Sequence, residues 1–357
     1  MTAPEPGHAP TTAAYAGAVD HYTSPSRRDW VKRAWEEPEL VRLLDAAVRA
    51  TGPASPLDVL DIGCGTGVAL DLLRHTPTLA GEHGPELRYL GVDLDDDLLA
   101  VARTRVGDGR TRFAHADVRD ELPGAPHDLY LSTGVPYSHL TREELTAVVA
   151  EMLSGARRHP RPTVLMLDVL GRYSLEWTSR WAETRWDYRM SFFVTDQELS
   201  ATPMTTYGGS ELADLVHTAA TRAGCELDRV TLTDRSIVVG RHTATGGYTP
   251  GLRPYRQLVN DLADVEVLVD LELLRLSDLD LTGGPEEVDA FLAAFTTRWD
   301  AALERAAAAA TGRGDDEVAA QVQPALAEEL RRLERDAQPG LGVAHSLTAT
   351  VVTRPGG

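Results

Sequence analysis

The sequence predicts an α/β fold built on a parallel sheet. Strand-like apolar runs alternate with helical patterns from about Asp58 onward, which is how a chain builds parallel strands joined by helical crossovers. The first run reads Val59-Leu60-Asp61-Ile62-Gly63-Cys64-Gly65-Thr66-Gly67, a buried strand feeding directly into a glycine turn. Glycines at 63, 65 and 67 let the backbone bend without Cβ clashes and let a ligand lie against the main chain.

The elements follow in order. The first strand covers about 58–62 and a helix runs from Val68 to Arg74. After a Pro/Gly-rich loop, Leu87 to Asp93 reads as the second strand. Asp95 to Arg105 is helical, with acids in its first turn as the helix dipole prefers. Thr111–Ala116, His127–Ser132 and Thr163–Asp168 are the next three strands. Arg142–Arg158 is a helix capped by Thr141. The alternation breaks over Gly171–Phe193, which is crowded with aromatics and arginines. It resumes with a helix at Ser210–Ala223 and two β-rich runs, Glu226–Thr233 and Ser236–Arg241. Beyond Gly246-Gly247, acidic helical patterns lie near 286–308 and 315–337, and Val343–Thr353 alternates as a strand does.

Composition narrows the function. The net charge of −19 argues against a nucleic-acid partner and against an anionic membrane surface. No apolar run approaches the roughly 20 residues that span a bilayer. Cys64 and Cys225 supply neither a disulfide framework nor metal-ligand spacing, so cytoplasmic residence is the simple expectation. The histidines are scattered, and a metal-free protein is expected. Lys32 is the only lysine against abundant arginine, a codon-usage signature that carries no functional weight.

The glycine turn has the spacing G-x-G-x-G, not the G-x-G-x-x-G of NAD-binding sheets, because position 68 is Val. It resembles motif I of the class I S-adenosylmethionine-dependent methyltransferases of small-molecule type. The resemblance covers about residues 15–245. It implies a seven-stranded, mostly parallel, doubly wound sheet with helices on both faces and a closing antiparallel pair, here followed by an α-rich C-terminal extension. The implied organisation is a disordered tail over 1–14, a helical lid over 15–57 and a cofactor-binding core over 58–245. An acceptor-side insertion occupies 170–209, and the extension 246–357.

For the cofactor, S-adenosylmethionine, the resemblance places Asp61 at the motif I acid and passes the turn at Gly63, Gly65 and Gly67 beside the methionine and ribose. Asp93 ends the second strand, where a carboxylate accepts from both ribose hydroxyls, with Leu94 beside it. Asp117 and Val118 match the adenine motif. Ser132, at the end of the fourth strand, opens the motif whose backbone flanks the sulfonium.

Methyl transfer needs alignment and desolvation first, and a base only when the acceptor must lose a proton. His139 is the candidate base, since a neutral imidazole titrates in the right range; packing of its loop is the equal alternative. Tyr137 would polarise or stack on the acceptor, and Asp168 would orient a partner or cap a turn. Five of the six tryptophans fall at Trp30, Trp35, Trp177, Trp181 and Trp186, the two stretches expected to roof an acceptor pocket. Tyr22, Trp30, Arg172, Trp177 and Trp181 are accordingly the acceptor-side candidates. An amphipathic helix sealing a junction would give the same spacing.

The expected function is methyl transfer to a small metabolite bearing a carboxylate or an aromatic group, in specialised metabolism. A homodimer through the C-terminal extension is the expected assembly. An NAD(P)-binding oxidoreductase and a non-catalytic S-adenosylmethionine-binding partner protein remain open as alternatives.

Overall fold

A computed structural model describes residues 19, 23–24, 28–52, 55–124, 126–189, 201–240, 248–249 and 251–356. The expected tail over 1–14 and Tyr22 lie outside the described residues. Helix α1 (Glu37–Ala50) continues a π-helical turn at Lys32–Glu36. Then come β1 (Leu57–Ile62), α2 (Val68–Arg74), β2 (Leu87–Asp93), α3 (Asp96–Val106), β3 (Thr111–His115), β4 (Leu129–Leu131), α4 (Arg142–Ala156) and β5 (Val164–Gly171).

These elements form where the sequence places them because their signals are local. β5 is buried along its whole length, so it reads as a continuous apolar run, as a strand covered on both faces must. Asp95 caps α3 by accepting from the amides of Asp97 and Leu98, both at 3.0 Å. Thr141 and Glu144 cap α4 reciprocally.

β3, β2, β1, β4 and β5 lie side by side, all parallel. The next neighbour of β5 is not what the sequence suggests. The run 236–241 was the expected closing strand, but its described part is a turn. The strand beside β5 is β9 (Ser346–Thr353), antiparallel to it, with Asp168 opposite Thr348. On the far side of β9 lies β8 (Leu227–Asp234), also antiparallel to it, with Thr233 opposite Thr348. Seven strands therefore form the expected part of a nine-stranded sheet, whose other two strands extend from the end of β5, but the central strand of the closing half comes from the end of the chain.

This corrects the expected boundary at residue 245. Residues 235–345 interrupt the sheet between its last two strands, and 346–353 complete it. Since β8 and β5 run in the same direction, the interruption leaves and rejoins at the edge where the parallel strands end. In open α/β sheets that edge is where ligands bind.

Asp234 fixes the return. Its buried carboxylate accepts from the amides of Leu341 at 2.9 Å, Gly342 at 3.0 Å and Ala344 at 3.2 Å. Gly342 makes this turn at φ 85°, packed so closely on Tyr207 that a Cβ would stand 2.5 Å from its carbonyl oxygen.

The aromatic stretch after β5 differs from its helical alternative too. Leu175–Arg180 is a 3-10 segment, and β6 (Arg185–Arg189) then pairs antiparallel with β7 (Ala201–Tyr207). Trp186 and Tyr188 are buried two residues apart on that strand, so strand rather than helix periodicity sets their common face. α5 (Gly209–Ala223) leads into β8. Inside the interruption lie α6 (Tyr255–Leu262), α7 (Glu286–Ala310) and α8 (Gln323–Asp336). α7 buries Val288, Leu292, Phe295, Trp299 and Leu303, one stripe at helical spacing. No described helix is long and apolar enough to cross a membrane.

A chain ending at residue 245 would leave β5 and β8 without the strand between them. It is expected to show no cooperative thermal unfolding by circular dichroism. A cooperative transition near that of the full chain would contradict the pairing.

Candidate functional site

The glycine turn crosses from β1 to α2 at the end of the sheet. The amides of Gly63 and Cys64 donate to the Val92 carbonyl at 2.9 and 3.0 Å, so the turn is fastened to β2. Gly65, at φ 51°, donates to Asp93 Oδ2 at 2.8 Å, and the Asp95 amide donates to Asp93 Oδ1 at 3.1 Å. Asp93 is thus held by one backbone donor on each oxygen. A carboxylate has about four acceptor positions, so two remain for a diol. A Cβ at Gly65 or at Gly134 would meet nothing within 4 Å, so both glycines border open space. Leu94 follows Asp93 and is half-buried.

Beneath the turn, Asp61 is fully buried. Tyr89 donates its hydroxyl to Oδ2, while Oδ1 has no hydrogen-bond partner. Burial pushes this carboxyl up to about 7, against the pull of the Tyr89 bond. An orphaned buried oxygen of this kind fits a cationic ligand group above it.

The third position is more committed. The guanidinium of Arg119 grips the Asp117 carboxylate, with Nε 2.9 Å from Oδ1, and the Arg119 amide adds a bond at 2.9 Å. The bond to Arg119 holds the Asp117 carboxyl below its usual range. Val118 is half-buried beside it.

The loop after β4 is tied to β5 at three points. Ser132 Oγ donates to the Met166 carbonyl at 3.1 Å and accepts from the Asp168 amide at 3.0 Å. The Val135 amide donates to Asp168 Oδ2 at 3.2 Å, and the Leu170 amide donates to Ser138 Oγ at 2.8 Å.

The three residues expected to act on the acceptor are placed differently. Tyr137 is 1% exposed, packed inward among Tyr130, Leu140 and Leu145, and burial drives its phenol far above the usual range. It does not face an open site. His139 is pulled down to about 4 by burial and by the Arg185 and Arg119 guanidiniums. That direction weighs against its acting as a base near neutral pH. Asp168 has all its acceptor positions taken: Arg235 Nε at 3.2 Å and Nη2 at 2.7 Å, Thr348 Oγ1 at 2.9 Å, and the Val135 amide. It has none left to orient a partner.

Of the described acceptor-side candidates, Arg172, Trp177 and Trp181 make bonds within the chain, though Arg172 Nε is buried without a hydrogen-bond partner. Arg172 is bound to Glu211 at 2.6 Å and to the Thr206 carbonyl at 3.1 Å. Trp177 is fully buried, its indole N–H shared between the Gly171 and Arg172 carbonyls. Trp181 donates to the Ser174 carbonyl at 2.9 Å. These rings pack with Trp186, Tyr188 and the apolar faces of α6, α7 and α8, joining the interruption to the sheet. Trp30 is half-buried and lies edge-on to Trp35, 5.8 Å away.

The segment around Trp30 and Trp35 is laced to the interruption by polar contacts that sequence reasoning missed. Arg256 on α6 binds Asp29 through two bonds of 2.8 Å and Glu36 at 3.3 Å. Asn260 accepts from the Val31 amide at 2.9 Å, and Ser236 donates to Glu36 at 3.1 Å. The partners are more than 190 residues apart, so no local pattern announces them. On α8, Glu334 accepts from the amides of Val238 at 2.8 Å and Val239 at 3.2 Å. Together these contacts fasten the 29–36 segment and residues 236–239 to the described helices α6 and α8 of the interruption.

Residues 59–158 match the family model of a methyltransferase domain. Trans-aconitate 2-methyltransferase of Streptomyces avermitilis is 34% identical over 84 residues, 22% of this chain and 29% of that protein. A malonyl-acyl-carrier-protein O-methyltransferase of Acetivibrio thermocellus is 31% identical over 78 residues, 22% of this chain and 25% of that protein. The chain thus spans less than a third of the length of either relative. Among solved structures, magnesium protoporphyrin IX methyltransferase from Synechocystis is similar over 62% of this chain and 91% of that one, with a TM-score of 0.40 and 16% identity. Residues 59–158 are thus similar to a methyltransferase domain.

Burial raises the Glu334 carboxyl to about 8, against the pull of the Val238 and Val239 amides. A group raised in the fold contributes its stability below its unfolded value, here about 4.5, and loses it as the pH rises through about 8. Glu334→Gln is therefore expected to gain in thermal midpoint relative to the wild type between pH 6 and pH 9. Parallel midpoint–pH curves for the two proteins would contradict the assignment.

Proposed function

We propose that this protein transfers a methyl group from S-adenosylmethionine to a small-molecule acceptor seated at the Gly134 edge, under the roof formed by 235–345 and 29–36. One observation carries the reading: Asp93 is fastened by the Gly65 and Asp95 amides with acceptor capacity to spare, beside a glycine turn open at Gly65. Asp93 would take the ribose hydroxyls, and Asp61 would face the methionine ammonium. The Val118 backbone and Asp117 would border the adenine, with Asp117 sharing its oxygens with Arg119.

When bound, the cofactor supplies a methyl group already activated by positive sulfur. The chain's own part is alignment and exclusion of water, which confine two reactants at near-attack distance. With His139 held near 4 and Tyr137 buried, the residues support a reaction that asks little of a protein base.

For the acceptor, the arginine and tryptophan arguments both weaken. Arg172 and Arg185 are engaged within the chain, Arg185 with Thr205 and the Leu140 carbonyl, and Trp177 and Trp181 are packed away. Carboxyl-bearing acceptors keep support from the names of the two relatives, one for trans-aconitate and one for malonyl-acyl-carrier protein. A dedicated roof built from a long interruption suits an enzyme of specialised metabolism.

Asp93→Ala should weaken S-adenosylmethionine binding by about 1.5–3 kcal/mol in calorimetry, the worth of charge-assisted hydrogen bonds. Unchanged affinity would refute the ribose assignment. Binding near pH 7 should also release a proton from Asp61, because a cation above it favours the carboxylate. The release appears as a dependence of the binding heat on buffer ionisation enthalpy, and it should vanish in Asp61→Asn. Transfer of labelled methyl to a panel of small carboxylic acids separates an enzyme from a non-catalytic binder.

A further inference from the structure

We propose that Arg235 and Thr348 are positioning residues which act through Asp168 to hold Val135 in a strained conformation, seating Pro136 on the glycine turn. The proposal rests on the cofactor reading above and deepens it.

Val135 has φ 56° and ψ 33°, and it is the one described non-glycine residue at positive φ. The left-handed region is unfavourable for a β-branched residue, and a residue that precedes proline is pushed toward extended geometry as well. Such a conformation persists only where its surroundings over-determine it. The surroundings here are explicit. The Val135 amide donates to Asp168, and Arg235 and Thr348 hold that carboxylate from its other sides. Asp168 and Thr348 are wholly buried and Arg235 is nearly so.

The strain has a geometric product. Pro136 lies so close to the turn that a Cβ on Gly63 would stand 2.5 Å from Pro136 Cβ. The loop that borders the acceptor edge is thereby pressed against the turn that carries the cofactor. Arg235 is the first residue of the interruption and Thr348 follows its return, so both ends of the roof converge on the carboxylate that sets this contact. Seating of the roof and shape of the cofactor turn are joined through one side chain.

Thr348→Val keeps the shape and removes one hydrogen bond to Asp168, while Thr348→Ser keeps the hydroxyl. Binding of S-adenosylhomocysteine is read by calorimetry alongside the thermal midpoint. Thr348→Val should weaken binding about tenfold, as the loss of one buried hydrogen bond to a charge suggests. Thr348→Ser should stay within about twofold of the wild type. In a Val135→Gly background, where the loop no longer depends on being held, Thr348→Val should change affinity by less than about 1.5-fold. If the wild type binds and Thr348→Val lowers only the midpoint, or if the two substitutions multiply, the network is structural and the proposal is overturned. If the wild type does not bind at all, the cofactor reading fails and takes this one with it.

Discussion

The buried pair of Asp168 and Arg235 is the contact on which the other features depend. Two charges at the end of β5 are removed from water, which is costly unless every remaining position is satisfied. Here they are. Asp168 accepts four bonds, and Arg235 adds a contact of 3.4 Å to the Thr133 carbonyl. Burial alone would pull the guanidinium down, yet the charge and hydrogen bonds of Asp168 outweigh it and raise the Arg235 group above its ordinary value. The pair joins the fifth strand, the residue after β8, the strand between them and the loop after β4. Closure of the sheet and shape of the site thus share one electrostatic constraint.

That constraint gives the interruption its place in the function. Residues 235–345 are not appended to a finished sheet. They leave it at the ligand edge and return to it there, and Asp234 holds the return by three amides. The amino-terminal segment locks onto the same body through Asp29 and Glu36. A methyltransferase needs a dry, well-aligned space more than it needs a dedicated base. The aromatic residues Trp177, Trp181 and Trp186 pack at the junction of this interruption with the sheet.

The glycine turn and the elements around it were legible in the sequence because their signals are local. A strand followed at once by a glycine turn, an acid at the end of the next strand, and reciprocal caps such as Thr141 with Glu144 each lie within a few residues. The closing strand was not legible, because its identity is decided by pairing across more than a hundred residues. Ile237, Val238 and Val239 read as a strand and are indeed buried, but Glu334 takes two of their amides where a ladder partner would have. Likewise the spacing of Trp177 and Trp181 suited a helix face, whereas the chain forms a 3-10 turn followed by a hairpin. Side-chain commitments were the least legible: Arg119 on Asp117, Glu211 on Arg172 and Arg235 on Asp168 consumed groups that composition left open.

A crystal structure of the full chain with S-adenosylhomocysteine tests the central claim most directly. The account predicts both ribose hydroxyls on Asp93, the nucleoside on the open side of Gly65, and residues 235–345 closing over the Gly134 edge. A nucleoside lodged elsewhere, or an Asp93 bonded only to the Gly65 and Asp95 amides in the complex, would contradict it.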